Sequence, residues 1–265
     1  MRITFIGGGN MASALIGGLI RRGHPASALH VVEPHAPTRE KLAAQFQVSV
    51  NETIDSAALG AEVIVLAVKP QQMQAAVAPL AGTLSDEVVV SIAAGTRVAN
   101  LVEWLGGHPR IVRAMPNTPA LIGEGITGLY AAPGLTEPER ERAAQVLAAA
   151  GDTVWVEDEN QIDAITAISG SGPAYVFYFI ESLEAAARDL GFDADTARKL
   201  ALQTFRGAAL LASGSPESPG SLREKVTSKG GTTEAALQSM SEAGVGDAII
   251  RAARAAFARG QALGR

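Results

Sequence analysis

Cysteine is absent from this 265-residue chain. Disulfides, thiolate nucleophiles and Cys-ligated metals are therefore excluded, and a reducing compartment such as the cytoplasm is the natural setting. Charge of one sign is lacking too: 22 Lys and Arg stand against 27 Asp and Glu, a net of -5 with no long run of either sign. Such a balance gives no footprint for nucleic acid. The four histidines, His24, His30, His35 and His108, show no ligand spacing, and H-E-x-x-H is missing, so no metal site is expected. The 17 uncharged residues between Asp163 and Glu181 are broken by Gly170, Gly172 and Pro173, too short and too interrupted to span a membrane. Met1 and Arg2 lead straight into Ile-Thr-Phe-Ile without a cleavable apolar leader, and the expected location is cytoplasmic.

What is abundant is apolar residue, 47% of the chain against 18% charged, enough for a sizeable core. Short β-branched or apolar runs at Ile3 to Ile6, Leu29 to Val32, Val63 to Val68, Val88 to Ile92 and Ile111 to Ala114 read as strands, most of them separated by helix-like segments. That alternation predicts an α/β fold with a parallel, doubly wound sheet. Each strand ends in a small-residue or turn-rich segment, the edge where open α/β sheets take ligands. After the last short strand, "TVWVE", the pattern becomes Ala-rich and helical. The expected division is 1–156 for a dinucleotide-binding domain and 157–265 for an all-helical one. The "SGSPESPGS" stretch at Ser213 to Ser221 is expected to be a turn between helices.

Gly7, Gly9 and Ala12 fit G-x-G-x-x-G/A directly after a strand and before a helical run. In that context Gly7 permits the tight turn, Gly9 lets a pyrophosphate approach the N–H groups at the helix start, and Ala12 lets the helix lie on the sheet. Glu33, at the end of the second strand, occupies the place where a carboxylate meets the adenosine ribose, which on charge favours NAD over NADP. His35 and Arg39 stand close enough to face a 2′-phosphate, or are solvated surface charge.

Five stretches, "GGGNM" at 7–11, "LAVKPQ" at 66–71, "MPNTPA" at 115–120, "SGSGPAY" at 169–175 and "TSKGGTT" at 227–233, together resemble pyrroline-5-carboxylate reductase over nearly the whole chain, in order. The resemblance implies a Rossmann half followed by a helical dimerisation domain, and a homodimer that assembles in many members into a homodecamer. It implies reduction of pyrroline-5-carboxylate to L-proline by NADPH or NADH, the last step of proline biosynthesis; the family favours NADP(H), with NAD(H) compatible. In that family the substrate lies between the nicotinamide and the helical domain. Gly7, Gly9, Asn10, Met11, Glu33 and His35 are then expected to hold the cofactor, with Asn51, Ala67, Val68, Lys69 and Pro70 flanking its adenosine part. Ala93 and Ala94 fall nearer the nicotinamide. Asn51 also reads as a turn or cap residue, and Asn117 either bonds the nicotinamide region or sits in a loop shaped by Pro116 and Pro119. Lys229 stands where many relatives carry Pro.

The substrate is a ring imine bearing a carboxylate, so an anion site and a partner for the imine nitrogen are needed. Gly230 and Gly231 are expected to offer backbone N–H groups before a helix capped by Thr232 or Thr233, with Ser228 adding a hydroxyl. By the resemblance, Thr233 adjoins the imine nitrogen. Tyr175, Phe177, Tyr178 and Phe179 crowd around one helix and read as core or subunit packing. A β-hydroxyacid dehydrogenase needs a lysine base on its interdomain helix, and Glu157 to Phe192 contains no lysine. A non-catalytic nucleotide sensor would share the glycine turn but has no need of a small-anion site at "SKGGTT".

Overall fold

In the computed structural model, residues 1–263 are described. The strands are β1 (Ile3–Ile6), β2 (Leu29–Val32), β3 (Ser49–Asn51), β4 (Val63–Leu66), β5 (Val88–Ser91), β6 (Ile111–Met115), β7 (Gly125–Ala131) and β8 (Gly151–Trp155). Helices interleaved with them are α1 (Asn10–Arg21), α2 (Ala36–Phe46), α3 (Ser56–Leu59), α4 (Met73–Val77), α5 (Val98–Trp104) and α6 (Glu137–Ala148). Then follow α7 (Asn160–Ile165), a π turn over Thr166–Gly170, α8 (Gly172–Asp189), α9 (Ala194–Ser213), α10 (Pro219–Lys225), α11 (Thr232–Glu242) and α12 (Val245–Leu263).

One eight-stranded sheet runs in the order β3-β2-β1-β4-β5-β6-β7-β8. The chain winds outward from β1 in both directions, so a topological switch lies between β1 and β4, where such sheets bind ligands. Both faces are covered. Ile3, Phe5, Val63, Val65, Val88 and Val90 point into one apolar cluster, while Ile6, Ile64, Leu66 and Val89 point into the other. Burial on both sides is why these strands are continuous apolar runs instead of alternating ones. Thr4, buried on β1, satisfies its hydroxyl by donating to the Ala58 carbonyl at 3.0 Å.

The sheet is not wholly parallel: β7 pairs antiparallel with β6 and parallel with β8. β7 escaped the sequence reading because Gly125 and Gly128 interrupt its apolar run. Their smallness is required by close approach: a Cβ on Gly128 would collide with the Ile165 side chain, and one on Gly125 would sit 2.7 Å from the Ala150 carbonyl oxygen. β3, three residues long, was missed for its brevity.

By internal contacts the chain divides into two units, Gly172–Ala255 and everything from Met1 to Ser171 together with the segment from Ala256 on. The sheet ends near the expected 156, but the first unit continues because α7 is bolted to β6. Arg113 on β6, 1% exposed, donates to Asp163 Oδ1 at 2.7 Å and to Glu159 Oε1 at 3.1 Å. Arg97, entering α5, donates to Asp163 Oδ2 at 2.7 Å and to Asn160 Oδ1 at 3.1 Å, and the Val98 N–H reaches Glu159 Oε1 at 2.9 Å. Two arginines and two carboxylates thus join the β5–α5 turn, β6 and α7 in one cluster, with Arg113 and Asp163 buried at its centre and Arg97 and Glu159 half-buried.

The second unit is wholly helical. Asp193 caps α9 by accepting from Thr196 N, and Ser218 caps α10 by accepting from Ser221 N. The turn predicted over 213–221 lies between these two helices. Unlike the sheet, this unit leaves its apolar faces open: no residue of α8, α10 or α11 is buried. Tyr178 is 69% exposed and Leu210 63%. An apolar groove of about 550 Å³ runs past Tyr175, Tyr178, Phe179, Met240 and Ile249.

Candidate active site

The first part of the site is the turn from β1 into α1. Gly7 has φ +100, and its N–H donates to the Val32 carbonyl at 2.8 Å. A Cβ there would stand 2.8 Å from the Ala67 carbonyl oxygen, so both the turn and the close passage of β4 demand glycine. Gly9 is the N-cap of α1 and makes no side-chain cap; a Cβ on it would meet nothing within 4 Å. Open space at that position lies beside the first-turn N–H groups of Asn10, Met11 and Ala12, the arrangement that suits an anion at a helix start. Ala12 is fully buried beneath the helix, as its place in the pattern requires.

Around this turn stand the other strand ends. Ala67 and Val68 are half-buried, while Lys69 and Pro70 are exposed at the start of a 3₁₀ turn. Ala93 is buried and Ala94 half-buried, and Gly95, with φ +76, is packed against Leu263. Glu33 lies one residue past β2; its Oε2 accepts the Gly8 N–H at 2.8 Å and its Oε1 the His35 N–H at 2.9 Å. His35 is the exposed N-cap residue of α2.

Two polar residues prove structurally committed. Asn51 donates its side-chain amide to Asp55, which itself caps α3 by accepting from Ala58 N at 2.9 Å. Asn117, 8% exposed, accepts from Ile126 N at 2.9 Å and donates to the Ser169 carbonyl at 3.1 Å. It pins the start of β7 to the π turn.

The second part lies in the helical unit, at the start of α11. Here the expected caps need correction. Gly231 is the N-cap, without a side-chain cap bond, and Thr232 and Thr233 are already helical. Neither glycine offers a free N–H: Gly230 donates to Glu234 Oε2 at 2.7 Å and Gly231 to the Ser228 carbonyl at 3.0 Å. The open donors are instead the first-turn N–H groups of Thr232, Thr233 and Glu234, since Ala235 N makes the first bond, to Gly231 O at 3.2 Å. The glycines shape the loop: Gly230 has φ +73, and a Cβ on Gly231 would lie 2.7 Å from Ser228 Oγ. Ser228 and Thr232 are exposed and Thr233 half-buried. A cleft of about 400 Å³ beside this loop is lined by Arg223, Glu224, Thr227 and Glu234 among others, not by Ser228 or the two threonines.

Sequence reasoning missed the Arg97–Arg113–Glu159–Asp163 cluster and the double bond made by Glu33. No local pattern announces the arginine cluster, whose arginines meet carboxylates 46 to 66 positions away, or the bond from Gly8 to Glu33, 25 positions apart. Among the described residues, no group of three or more His, Asp or Glu is gathered to hold a metal ion, and no helix is long and apolar enough to cross a membrane.

A glycine turn at the switch point of a doubly wound sheet, followed by a helical unit, defines a Rossmann-type dinucleotide-dependent oxidoreductase. Residues 2–95 match the family model described as NADP oxidoreductase, coenzyme F420-dependent, and 159–263 match pyrroline-5-carboxylate reductase dimerisation. The pyrroline-5-carboxylate reductase of Pseudomonas aeruginosa is 46% identical over 263 residues, 99% of this chain and 96% of that one; that of Haemophilus influenzae is 43% identical over 98% and 97%. A pyrroline-5-carboxylate reductase structure from Coxiella burnetii superposes with TM-score 0.94 at 39% identity, covering 100% of this chain and 98% of that one. The Plasmodium falciparum enzyme with NADP bound gives 0.89 at 28% identity, covering 100% and 98%. The chain belongs to the pyrroline-5-carboxylate reductase family.

Proposed function

We propose that this chain reduces L-1-pyrroline-5-carboxylate to L-proline in the cytoplasm, drawing hydride from NADPH, which the family resemblance favours, or from NADH. The observation that carries the reading is the pair of anion cradles, at α1 and at α11, within a chain related end to end to reductases of that name.

The glycine turn holds the dinucleotide pyrophosphate through the N–H groups at the start of α1, and the ends of β4 and β5 flank the rest. When bound, the reduced nicotinamide supplies the hydride. The substrate carboxylate is held by the N–H groups of Thr232 and Thr233 with the Ser228 hydroxyl, and the positive end of the α11 dipole favours its charge. Glu234 keeps its own carboxylate on Gly230 N, and the neighbouring Lys229 ammonium, exposed and without an ion-pair partner among the described residues, offsets that negative charge.

Thr233 orients the imine nitrogen through its hydroxyl. A hydroxyl is too weak an acid to protonate the imine unaided, so the proton comes from solvent. Protonation at nitrogen and hydride arrival at the adjoining carbon together convert C=N to CH–NH, and the protein's contribution is placement more than acid catalysis. The open faces of the helical unit are covered in a homodimer, which assembles further to a homodecamer.

Mixing the purified protein with pyrroline-5-carboxylate and each reduced dinucleotide, and following nicotinamide absorbance, tests the reaction. Substrate-dependent oxidation with proline as product is expected; dinucleotide binding without substrate-dependent oxidation would leave a sensor instead.

A further inference from the structure

We infer, on the reading of the glycine turn as a dinucleotide cradle, that the last turn of α12 is a positioning element for the reduced nicotinamide, acting through Gly95. Gly95 follows Ala93 and Ala94 past the end of β5, the segment that the family resemblance sets beside the nicotinamide. Its φ is +76, a conformation open to glycine, and the side where a side chain would project is taken by Leu263. A Cβ built on Gly95 would lie 3.1 Å from Leu263 Cβ and 3.2 Å from the Leu263 carbonyl oxygen. Gly260, three residues earlier and so on the same face of α12, is buried. A Cβ there would stand 3.8 Å from Asp163 Cβ and 3.9 Å from the Asp163 carbonyl oxygen. An alanine fits at that distance, whereas a longer side chain would push the helix end away.

Asp163 is not free to yield. It is 2% exposed, and its two oxygens accept from Arg97 Nη2 and Arg113 Nη2, each at 2.7 Å. Arg97 lies just beyond Gly95 in the chain, so the β5–α5 turn is fixed from two sides: by Leu263 against Gly95, and by the bond from Arg97 to the same acid that carries Gly260. The pyrophosphate is gripped elsewhere, at the start of α1. Moving the last turn of α12 therefore disturbs the orientation of the ring and leaves dinucleotide affinity largely intact. A misplacement of about 1 Å at a reacting centre is worth about a hundredfold in rate. With Leu263 52% exposed, the contact buries little apolar surface, which leaves placement as its main effect.

Steady-state kinetics of the full-length protein with NADPH and pyrroline-5-carboxylate, paired with fluorescence titration by NADPH alone, test this. Gly260→Leu is expected to lower kcat about tenfold or more, with the substrate KM and the NADPH Kd each changed by less than about threefold. At equal saturation and without substrate, the emission of bound NADPH should fall in the same variant, since its ring is held less firmly. Gly260→Ala should keep wild-type kcat and emission, because its methyl group fits. A purely structural role would show instead in the urea midpoint and the molar mass, both expected unchanged in the two variants. Where Gly260→Leu folds poorly, Leu263→Gly removes the Cβ that faces Gly95 and should lower kcat about threefold at the same Kd. Unaltered kcat and emission in the variant that folds would overturn the role, as would an equal loss in Gly260→Ala. Wild type that binds NADPH and forms no proline, with the emission change intact, would sink the proposed reaction and leave the positioning standing, whereas failure to bind NADPH would sink both.

Discussion

The sheet unit and the helical unit solve the problem of burial in opposite ways. In the first, apolar strands are covered on both faces, and even a charged Arg113 is sealed inside with the buried Asp163 carboxylate. In the second, Phe177, Tyr178, Leu210 and Leu211 are each more than 60% exposed. Exposed apolar area of that extent marks an interface, and residues 159–263 match a dimerisation family. One unit closes its apolar surface within the chain, and the other leaves apolar faces exposed over a stretch that matches a dimerisation family.

The largest test of that contrast strikes the closed unit. Asp163→Ala leaves Arg97 and Arg113 facing each other without their shared acid, and the loss should be about 3–5 kcal/mol, as for a broken buried ion pair. Urea unfolding at fixed protein concentration reads it, and a loss under about 1 kcal/mol would show that the cluster is not a clamp. Next comes the open unit: Leu210→Lys with Leu211→Lys should cost about 2–4 kcal/mol of association, the scale of interface hot spots. Light scattering should then report a monomer, and the melting temperature should lose its dependence on concentration; an unchanged molar mass would place the interface elsewhere.

A smaller effect is expected at Thr233. Its replacement by Ala should lower turnover about tenfold, the worth of a lost hydrogen bond to the reacting centre, with dinucleotide affinity unaltered. Unchanged kcat would remove the threonine from the chemistry.

The smallest effect separates the units by pH. All four histidines lie in the sheet unit. Burial lowers His30 despite the nearby Asp55 carboxylate, and burial likewise lowers His108 despite its bond to the Glu87 carbonyl. A folded-state pKa below the unfolded value means that the unfolded chain takes up protons first on acidification. Stability is thus complete above the ordinary histidine value of about 6.5 and declines as pH falls from there through the lowered folded values. Thermal melts of His30→Gln with His108→Gln should be flatter in that window, and an equal slope would assign the pH dependence to other groups.

Much of the sheet was legible because strands buried on both faces must be apolar throughout, so β1, β2, β4, β5 and β6 stand out as runs. β7 was hidden by Gly125 and Gly128, whose presence reflects the nearness of Ala150 and Ile165 and not any local preference. The α1 cradle was readable since its glycines answer a backbone need at fixed spacing. At α11 the motif was visible but its donors were misassigned: two adjacent glycines do not reveal which one caps, and only the bonds to Ser228 O and Glu234 show that both N–H groups are consumed. The pairing of Arg113 with Asp163, fifty positions apart, has no local signature at all.

Hydride transfer to the imine carbon is the claim on which the functional account turns. Incubation of the protein and pyrroline-5-carboxylate with dinucleotide deuterated at both C4 positions, followed by mass spectrometry and NMR of the product, addresses it directly. The expected product is L-proline carrying a single deuterium on ring carbon C5. Proline without label, or label elsewhere in the ring, would contradict the account.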